Sequence, residues 1–182
     1  MRKLAFAALF GALLAVPLVQ AVHAQGQPSA VPEAMPFDIP YGTPINLDDA
    51  HKALAAAVNE AKKHNWKMSV SVVDPAGNLI AHGTMDGTQY ASIAISQAKA
   101  RTAALFRRPS KAFADGINGA NGPGTPATLS LLALSQAAAS EGGFPIVKDG
   151  KLIGAIGASG GIATQDGVTA KAGLAGLGIT AN

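Results

Sequence analysis

The chain has 182 residues, a formal charge of +3 and no cysteine. This length suffices for one domain with a hydrophobic core. The absence of cysteine excludes disulfides, thiolate metal sites and cysteine nucleophiles. The small positive charge gives no reason to expect nucleic-acid binding, because part of it comes from Arg2 and Lys3.

The first 24 residues have the pattern of a secretory signal peptide. A basic start is followed by the apolar run Leu4–Val16 and by the small-residue end Val22–Ala24. The apolar run is shorter than the roughly 20 residues that a membrane helix needs. We therefore predict cleavage after Ala24, a periplasmic or secreted location, and no transmembrane segment in the mature form.

Residues 25–45 carry a proline at every fourth position, a spacing that excludes both a helix and a central strand. The segment is either a flexible spacer or an extended arm that lies on this subunit or on a neighbour. Apolar side chains that could anchor such an arm are Met35, Phe37, Ile39 and Tyr41.

Residues 46–182 are predicted to form the folded domain. Asn46 suits the N-cap of a helix that begins near Leu47 and ends by Asn65, with an apolar stripe that includes His51. The further predictions, in chain order, are strands 68–74 and 79–85, a helix over 90–106, and a glycine-rich loop over 116–126.

The C-terminal third is predicted to contain a second hairpin. Residues 129–140 are apolar and suit a short helix or a strand. Strands 145–148 and 152–159 flank the turn pair Asp149–Gly150, and a last helix covers 165–177. The alternation of helices and hairpins predicts an α+β fold, with an antiparallel sheet and helices on one face.

Residues 157–161 match the nucleophile motif G-x-S-x-G, with Ser159 at its centre. Hydrolases with this motif place their histidine after the serine, but no histidine follows His82. The residues Gly157, Ser159 and Gly160 therefore indicate close strand packing, or a turn before a helix N-terminus that favours an anion.

Several stretches resemble the GlcG/HbpS family of haem-binding proteins and the similar C-terminal domain of PduO proteins. The resemblance covers residues 46–178. It rests on VVDPAGNL, on MDG after the second strand, on the KA-x-TA pattern at 99–103, and on PIVKDGKLIGAIGASGG at 145–161.

The resemblance implies a profilin-like fold, with a five-stranded antiparallel sheet flanked by helices. It also implies haem as the cofactor and homo-oligomers from dimer to octamer. Thr102 corresponds to a threonine linked to haem contact, whereas Arg101 departs from the small or apolar residue expected there. The expected haem-contacting residues are Thr102, Met85, Asp86, Lys99, Phe106, Gly157, Ser159 and Gly160.

The iron ligand stays open among three histidines, since imidazole suits iron. His51, His64 and His82 form no i, i+4 pair, and each also suits a structural role. The leading hypothesis is an exported protein for haem sequestration, sensing or iron delivery, with haem degradation in some members. Haem would be held between subunits, in a pocket formed by the 90–106 helix, the MDG corner and the 116–126 loop. One alternative is an enzyme for a small carboxylated or hydroxylated metabolite, with Asp86 or Asp166 as acid–base group. Another alternative is a structural or sensory partner protein, in which the proline-rich arm and the oligomer surface matter more than any pocket.

Overall fold

The computed structural model describes residues 33–120 and 126–181. The predicted signal peptide, the start of the proline-rich segment and residues 121–125 lie outside this range. All elements given below belong to the unit Met35–Asn182.

The first helix, α1, covers Leu47–Lys63 and begins where the sequence predicts. The Asn46 side-chain oxygen accepts a hydrogen bond from the Asp49 N–H at 2.8 Å, which confirms the predicted N-cap. The predicted apolar stripe is displaced, because His51 is exposed and Leu47 is 52% exposed. Alanines form the buried face instead: Ala50, Ala53, Ala57 and Ala61.

The sheet has four strands in the described residues, not the five expected. The strands are β1 (Ser69–Val73), β2 (Leu79–Thr84), β3 (Gly143–Lys148) and β4 (Lys151–Ser159). Their order is β2-β1-β4-β3, and every neighbouring pair is antiparallel. The two predicted hairpins are therefore confirmed, and β1 pairs with β4 at the centre.

The end of the proline-rich segment lies against β4 of its own chain, beyond the end of β1. The Gly42 N–H donates to the Leu152 carbonyl and the Leu152 N–H donates to the Pro40 carbonyl, each at 2.8 Å. Only one parallel bridge forms, between Tyr41 and Leu152. Proline lacks the N–H that a longer ladder needs, so Pro40 and Pro44 limit this pairing to less than a strand.

Helices cover both faces of the sheet, which corrects the expectation of helices on one face. Helix α2 (Ala91–Leu105) packs on β4, β1 and β3. On the opposite face, α1 and α4 (Ala163–Ala175) pack on each other and on the sheet. The core under α1 and α4 is built from branched side chains, among them Val70, Val72 and Ile156.

The contact between α2 and the sheet depends on small residues. Ala100, Ala103 and Ala104 of α2 pack on Val73 and Ala155. A Cβ atom on Gly157 would collide with the Ser96 carbonyl oxygen of α2. The glycine-rich strand is thus close-packed, as its composition predicts.

The region between α2 and β3 differs most from the prediction. Helix α3 (Lys111–Asn118) extends into the predicted glycine-rich loop, and residues Leu129–Ala133 form a short 3-10 helix. The buried Phe113 packs edge-on against the Phe106 ring, with the centroids 4.8 Å apart, and this contact stabilises α3. Gly119, at φ +68°, ends the helix.

Candidate functional site

A surface groove lies between the end of α1 and the end of β2, and we call it the α1/β2 groove. Its volume is about 460 Å³. Its lining residues are Val58, Lys62, Lys67, Gly83, Thr84, Met85 and Asp86. Two residues expected to contact haem, Met85 and Asp86, therefore lie in one concave site.

Backbone hydrogen bonds hold Met85 at the rim of this groove. The Met85 N–H donates to the Met68 carbonyl at 3.0 Å, which extends the β1–β2 ladder one residue past β2. The chain then turns, with Thr88 N–H donating to the Met85 carbonyl at 3.1 Å and Gly87 at φ +78°. The backbone of Met85 is thus fixed at the groove, and its flexible side chain brings a soft, polarisable thioether there.

The groove has an excess of positive charge. Lys62 and Lys67 are exposed, and neither forms an ion pair within the described residues. The neighbouring Lys63, in contrast, pairs with Glu60 at 2.7 Å. The two unpaired ammonium groups can therefore attract carboxylates of a ligand.

The three histidines are not brought together. His51 lies two turns before Val58 on α1, about 10 Å along the helix axis, and is not among the residues that line the α1/β2 groove. His64 stacks on Trp66 and lies 3.1 Å from a Glu60 carboxylate oxygen. Within the ranges that the structure describes, no group of three or more histidine or acidic side chains could hold a metal ion.

His82 belongs to a hydroxyl network between the sheet and α2. Its Nδ1 lies 2.9 Å from Ser71 Oγ, and its Nε2 lies 2.9 Å from Thr84 Oγ1. Ser71 Oγ is in turn 2.9 Å from Ser96 Oγ on α2. Burial lowers the pKa of His82, so its neutral form is favoured in the fold.

Lys99 and Asp166 form a buried ion pair that sequence analysis did not predict. Lys99 Nζ lies 2.7 Å from Asp166 Oδ2, with the two side chains 2% and 4% exposed. Lys99 Nζ also donates to the Glu141 carbonyl at 2.7 Å. Burial raises the pKa of Asp166, although the Lys99 ammonium opposes this shift.

The backbone N–H groups of the turn before α4 are bound by side chains of α4, one of which is the Asp166 carboxylate. The Gly161 N–H donates to Asp166 Oδ1 at 3.0 Å, and the Ile162 N–H donates to Gln165 Oε1 at 3.0 Å. The predicted preference of this turn for an anion is thus satisfied by side chains of α4 itself. The sequence contains one signal for the pair of Lys99 and Asp166. Lys99 lies between two alanines of α2, and these small apolar neighbours indicate a packed helix face and not a solvated one.

The other predicted contact residues lie apart from the α1/β2 groove. Thr102 is buried, and its hydroxyl accepts from the Ala138 N–H at 2.8 Å. Phe106 lines a separate cavity of about 230 Å³ with residues 133–136. Ser159 is 4% exposed, and its Oγ lies 3.4 Å from Ser92 Oγ, so no substrate can reach it as a nucleophile.

Comparisons with known proteins place the chain among its relatives. Residues 45–175 match the family described as "Haem degrading protein HbpS-like". Protein GlcG of Escherichia coli is 43% identical over 110 residues, which are 60% of this chain and 77% of GlcG. A 15.0 kDa protein of Citrobacter freundii is 34% identical over 131 residues, which are 71% and 89% of the two chains.

Solved structures agree with this relationship. The complex of PduOC with haem has a TM-score of 0.65 and 26% identity, covering 77% of this chain and 98% of PduOC. A double mutant of Streptomyces reticuli HbpS has a TM-score of 0.65 and 29% identity, covering 81% and 97%. No helix in the described ranges has the length and apolar character to span a bilayer. The chain belongs to the HbpS-like family.

Proposed function

We propose that this protein is an exported haem-binding protein and that haem binds in the α1/β2 groove. The observation that carries the proposal is a groove with an apolar wall, a thioether and two unpaired lysines, in a chain of the HbpS-like family. The haem complex of PduOC, a structural relative, supports the choice of ligand.

The residues of the groove fit the chemistry of haem. Val58 and Met85 offer apolar contact to a porphyrin, and the ammonium groups of Lys62 and Lys67 can pair with its two propionates. Met85 is the lining side chain that could ligate iron, and His51, two turns before Val58 on α1, is a second candidate outside the lining. Bound haem would supply the redox and ligand-binding chemistry of its iron.

The proposed physiological role is haem sequestration, sensing or iron delivery outside the cytoplasm. The N-terminal signal pattern supports export to the periplasm or beyond. Asp166, one of the two acid–base candidates for an enzyme, is enclosed with Lys99 and cannot reach a substrate. This burial removes Asp166 as an acid–base group, whereas Asp86, the other candidate, is exposed in the α1/β2 groove.

A haemin titration of the purified protein, followed by absorbance, tests haem binding. We expect a saturable Soret shift, and its absence would overturn the proposal. The double variant Lys62→Gln, Lys67→Gln should lower haem affinity several-fold, because two charge-assisted contacts are lost. Lys63→Gln, on the same helix but outside the groove, is the matched control.

A second series assigns the iron ligand. Met85→Leu keeps the size of the side chain but removes sulfur, and His51→Ala removes the imidazole two turns before Val58 on α1. A changed Soret maximum in one of these variants, but not in His64→Ala, His82→Ala or Thr102→Ala, would identify the ligand. If haem binds but no groove variant alters affinity or spectrum, the location in the α1/β2 groove is wrong.

We also propose that the protein self-associates. Large apolar side chains are exposed, including Tyr90 at 91%, Leu129 at 63% and Leu132 at 67%. Such side chains, when grouped on a surface, mark interaction sites. Sedimentation velocity with and without haem should show a dimer or larger species, and a monomer at all concentrations would contradict this part.

A further inference from the structure

A second cavity lies beside the edge strand β3, and we call it the β3 cavity. Its volume is about 400 Å³. Its walls are mostly apolar and come from four parts of the chain: the end of the proline-rich segment (here called the arm), the segment after α2, the β3 hairpin and the C-terminal region. Apolar lining residues include Phe37, Ile39, Phe144, Val147, Leu174 and Ile179.

Arg108 brings an uncompensated positive charge to this cavity. Its guanidinium lies over the Phe37 ring at 4.4 Å and over the Phe113 ring at 4.6 Å. Its Nε atom is buried and has no hydrogen-bond partner in the described residues, where Arg108 also forms no ion pair. A buried donor without a partner is costly, and aromatic faces offset only part of that cost.

The neighbouring Arg107 has a different environment. Its Nη1 donates to the Ile39 carbonyl at 3.1 Å, and the same atom lies 3.7 Å from Asp38 Oδ1. The guanidinium also lies over the Tyr41 ring at 5.5 Å. Arg107 therefore holds the arm in place. Arg108, in contrast, has no hydrogen-bonding or acidic partner in the described residues.

The backbone around the cavity is strained. Phe37 has φ +62° and Arg107 has φ +53°, in the left-handed region that bulky side chains rarely adopt. Both residues line the cavity, one from the arm and one from the end of α2. Such strain persists where surrounding contacts impose it, and it is frequent at ligand sites.

We propose that the β3 cavity binds a small carboxylic acid with an apolar body. The carboxylate would pair with the guanidinium of Arg108, which has no acidic partner in the described residues, and the aliphatic or aromatic body would occupy the space between Phe37, Phe144 and Leu174. A volume of about 400 Å³ lies within the range of small-molecule sites. This site is separate from the α1/β2 groove, with which it shares no lining residue.

Calorimetric titration of the haem-free protein tests the proposal. The probes are 4-phenylbutyrate and octanoate, each compared with its neutral amide. We expect saturable binding of both acids, with the amides at least about tenfold weaker, since the amide oxygen carries no charge to pair with the guanidinium. Absence of binding by both acids, or equal affinity of acid and amide, would overturn the proposal.

Variants separate a binding role of Arg108 from a structural one. Arg108→Gln should weaken the acids to the level of the amides, while Arg108→Lys should keep a preference for the acids. If Arg108 served only to hold Phe37, its loss would weaken acids and amides equally. Arg101→Gln removes an exposed arginine of α2 outside the cavity and is the matched control.

Haem binding and acid binding can fail independently. The acid titration, repeated on haem-saturated protein, should give the same affinity as the haem-free protein. Displacement of the acid by haemin would show that the β3 cavity is part of the haem site, and would overturn the proposal of a separate site. Acid binding in a protein that shows no Soret shift would support the β3 cavity alone.

Discussion

At the scale of single residues, the buried ion pair of Lys99 and Asp166 is expected to have a large effect on the free energy of unfolding. Each is nearly inaccessible, and each is the charged partner of the other at 2.7 Å. Lys99→Met would leave the Asp166 carboxylate buried without a counter-charge. We expect a loss of about 3–5 kcal/mol in the free energy of unfolding, measured by urea denaturation.

The double variant Lys99→Met, Asp166→Asn should recover part of this loss, because no buried charge remains. The amide introduced in place of the carboxylate would keep an oxygen that can accept from the Gly161 N–H. The control Lys63→Met removes an exposed lysine and should change stability by at most about 0.5 kcal/mol. A Lys99→Met protein as stable as this control would contradict the interpretation.

His82 gives a prediction on pH dependence. Burial lowers its pKa in the folded state below the value of 6.5 in the unfolded chain. The unfolded state therefore binds more protons below about pH 6.5, and stability should fall as the pH falls through the folded pKa. His82→Gln should flatten the stability profile between about pH 7 and pH 5.

The measurement is the urea midpoint across this pH range. His51→Gln serves as the control because it removes an exposed histidine of α1. The same slope in the wild type and in His82→Gln would show that other groups cause the pH dependence.

At the scale of elements, Gly157 of β4 allows α2 to approach the sheet closely, because glycine has no side chain. A Cβ at Gly157 would collide with the Ser96 carbonyl, and it would lie 2.5 Å from the Ala100 nitrogen. Gly157→Ala must therefore displace α2 from the sheet. We expect a destabilisation of about 1–3 kcal/mol or more, measured by thermal or urea unfolding.

Gly83→Ala is the matched control on β2. Its nearest neighbours are the Leu54 methyl groups at 3.4 Å, and its backbone needs no left-handed conformation. The gain in chain stiffness should make this change neutral or slightly stabilising. If Gly157→Ala behaved like Gly83→Ala, the close contact with α2 would not limit the packing.

At the scale of the whole molecule, Ile45 joins the arm to the core. Its side chain is 5% exposed within the main hydrophobic cluster, and its N–H donates to the Ile153 carbonyl at 2.7 Å. Ile45→Ala should cost about 2–5 kcal/mol in the free energy of unfolding, because it leaves a cavity. The exposed Thr43→Ala is the control, and equal stability of the two variants would contradict this anchoring role.

The sequence predicts those elements whose signals are local. The Asn46 cap and the Asp149–Gly150 turn each act within a few residues, and each is confirmed. Contacts distant in sequence were not predicted. Helix α3 depends on Phe113 meeting Phe106, and the environment of Lys99 depends on Asp166.

The candidate site was predicted in part for the same reason. The MDG corner identifies Met85 and Asp86, which line the α1/β2 groove. Lys62 and Lys67 were missed as site residues, because only the packing of α1 beside β2 brings them to the same groove. The position of Arg108 between two aromatic rings also depends on the fold, because Phe37 and Phe113 are distant from each other in sequence.

The pairing of β1 with β4 has a consequence for how the chain folds. Ser69 pairs with Ser159, so the centre of the sheet joins two hairpins made at opposite ends of the domain. Closing so long a loop slows folding. The edges of β1 and β4 that face each other stay unpaired until the two hairpins meet. If residues 1–24 direct export as predicted, the central pair of β1 and β4 can form only after the C-terminal half of the chain has crossed the membrane.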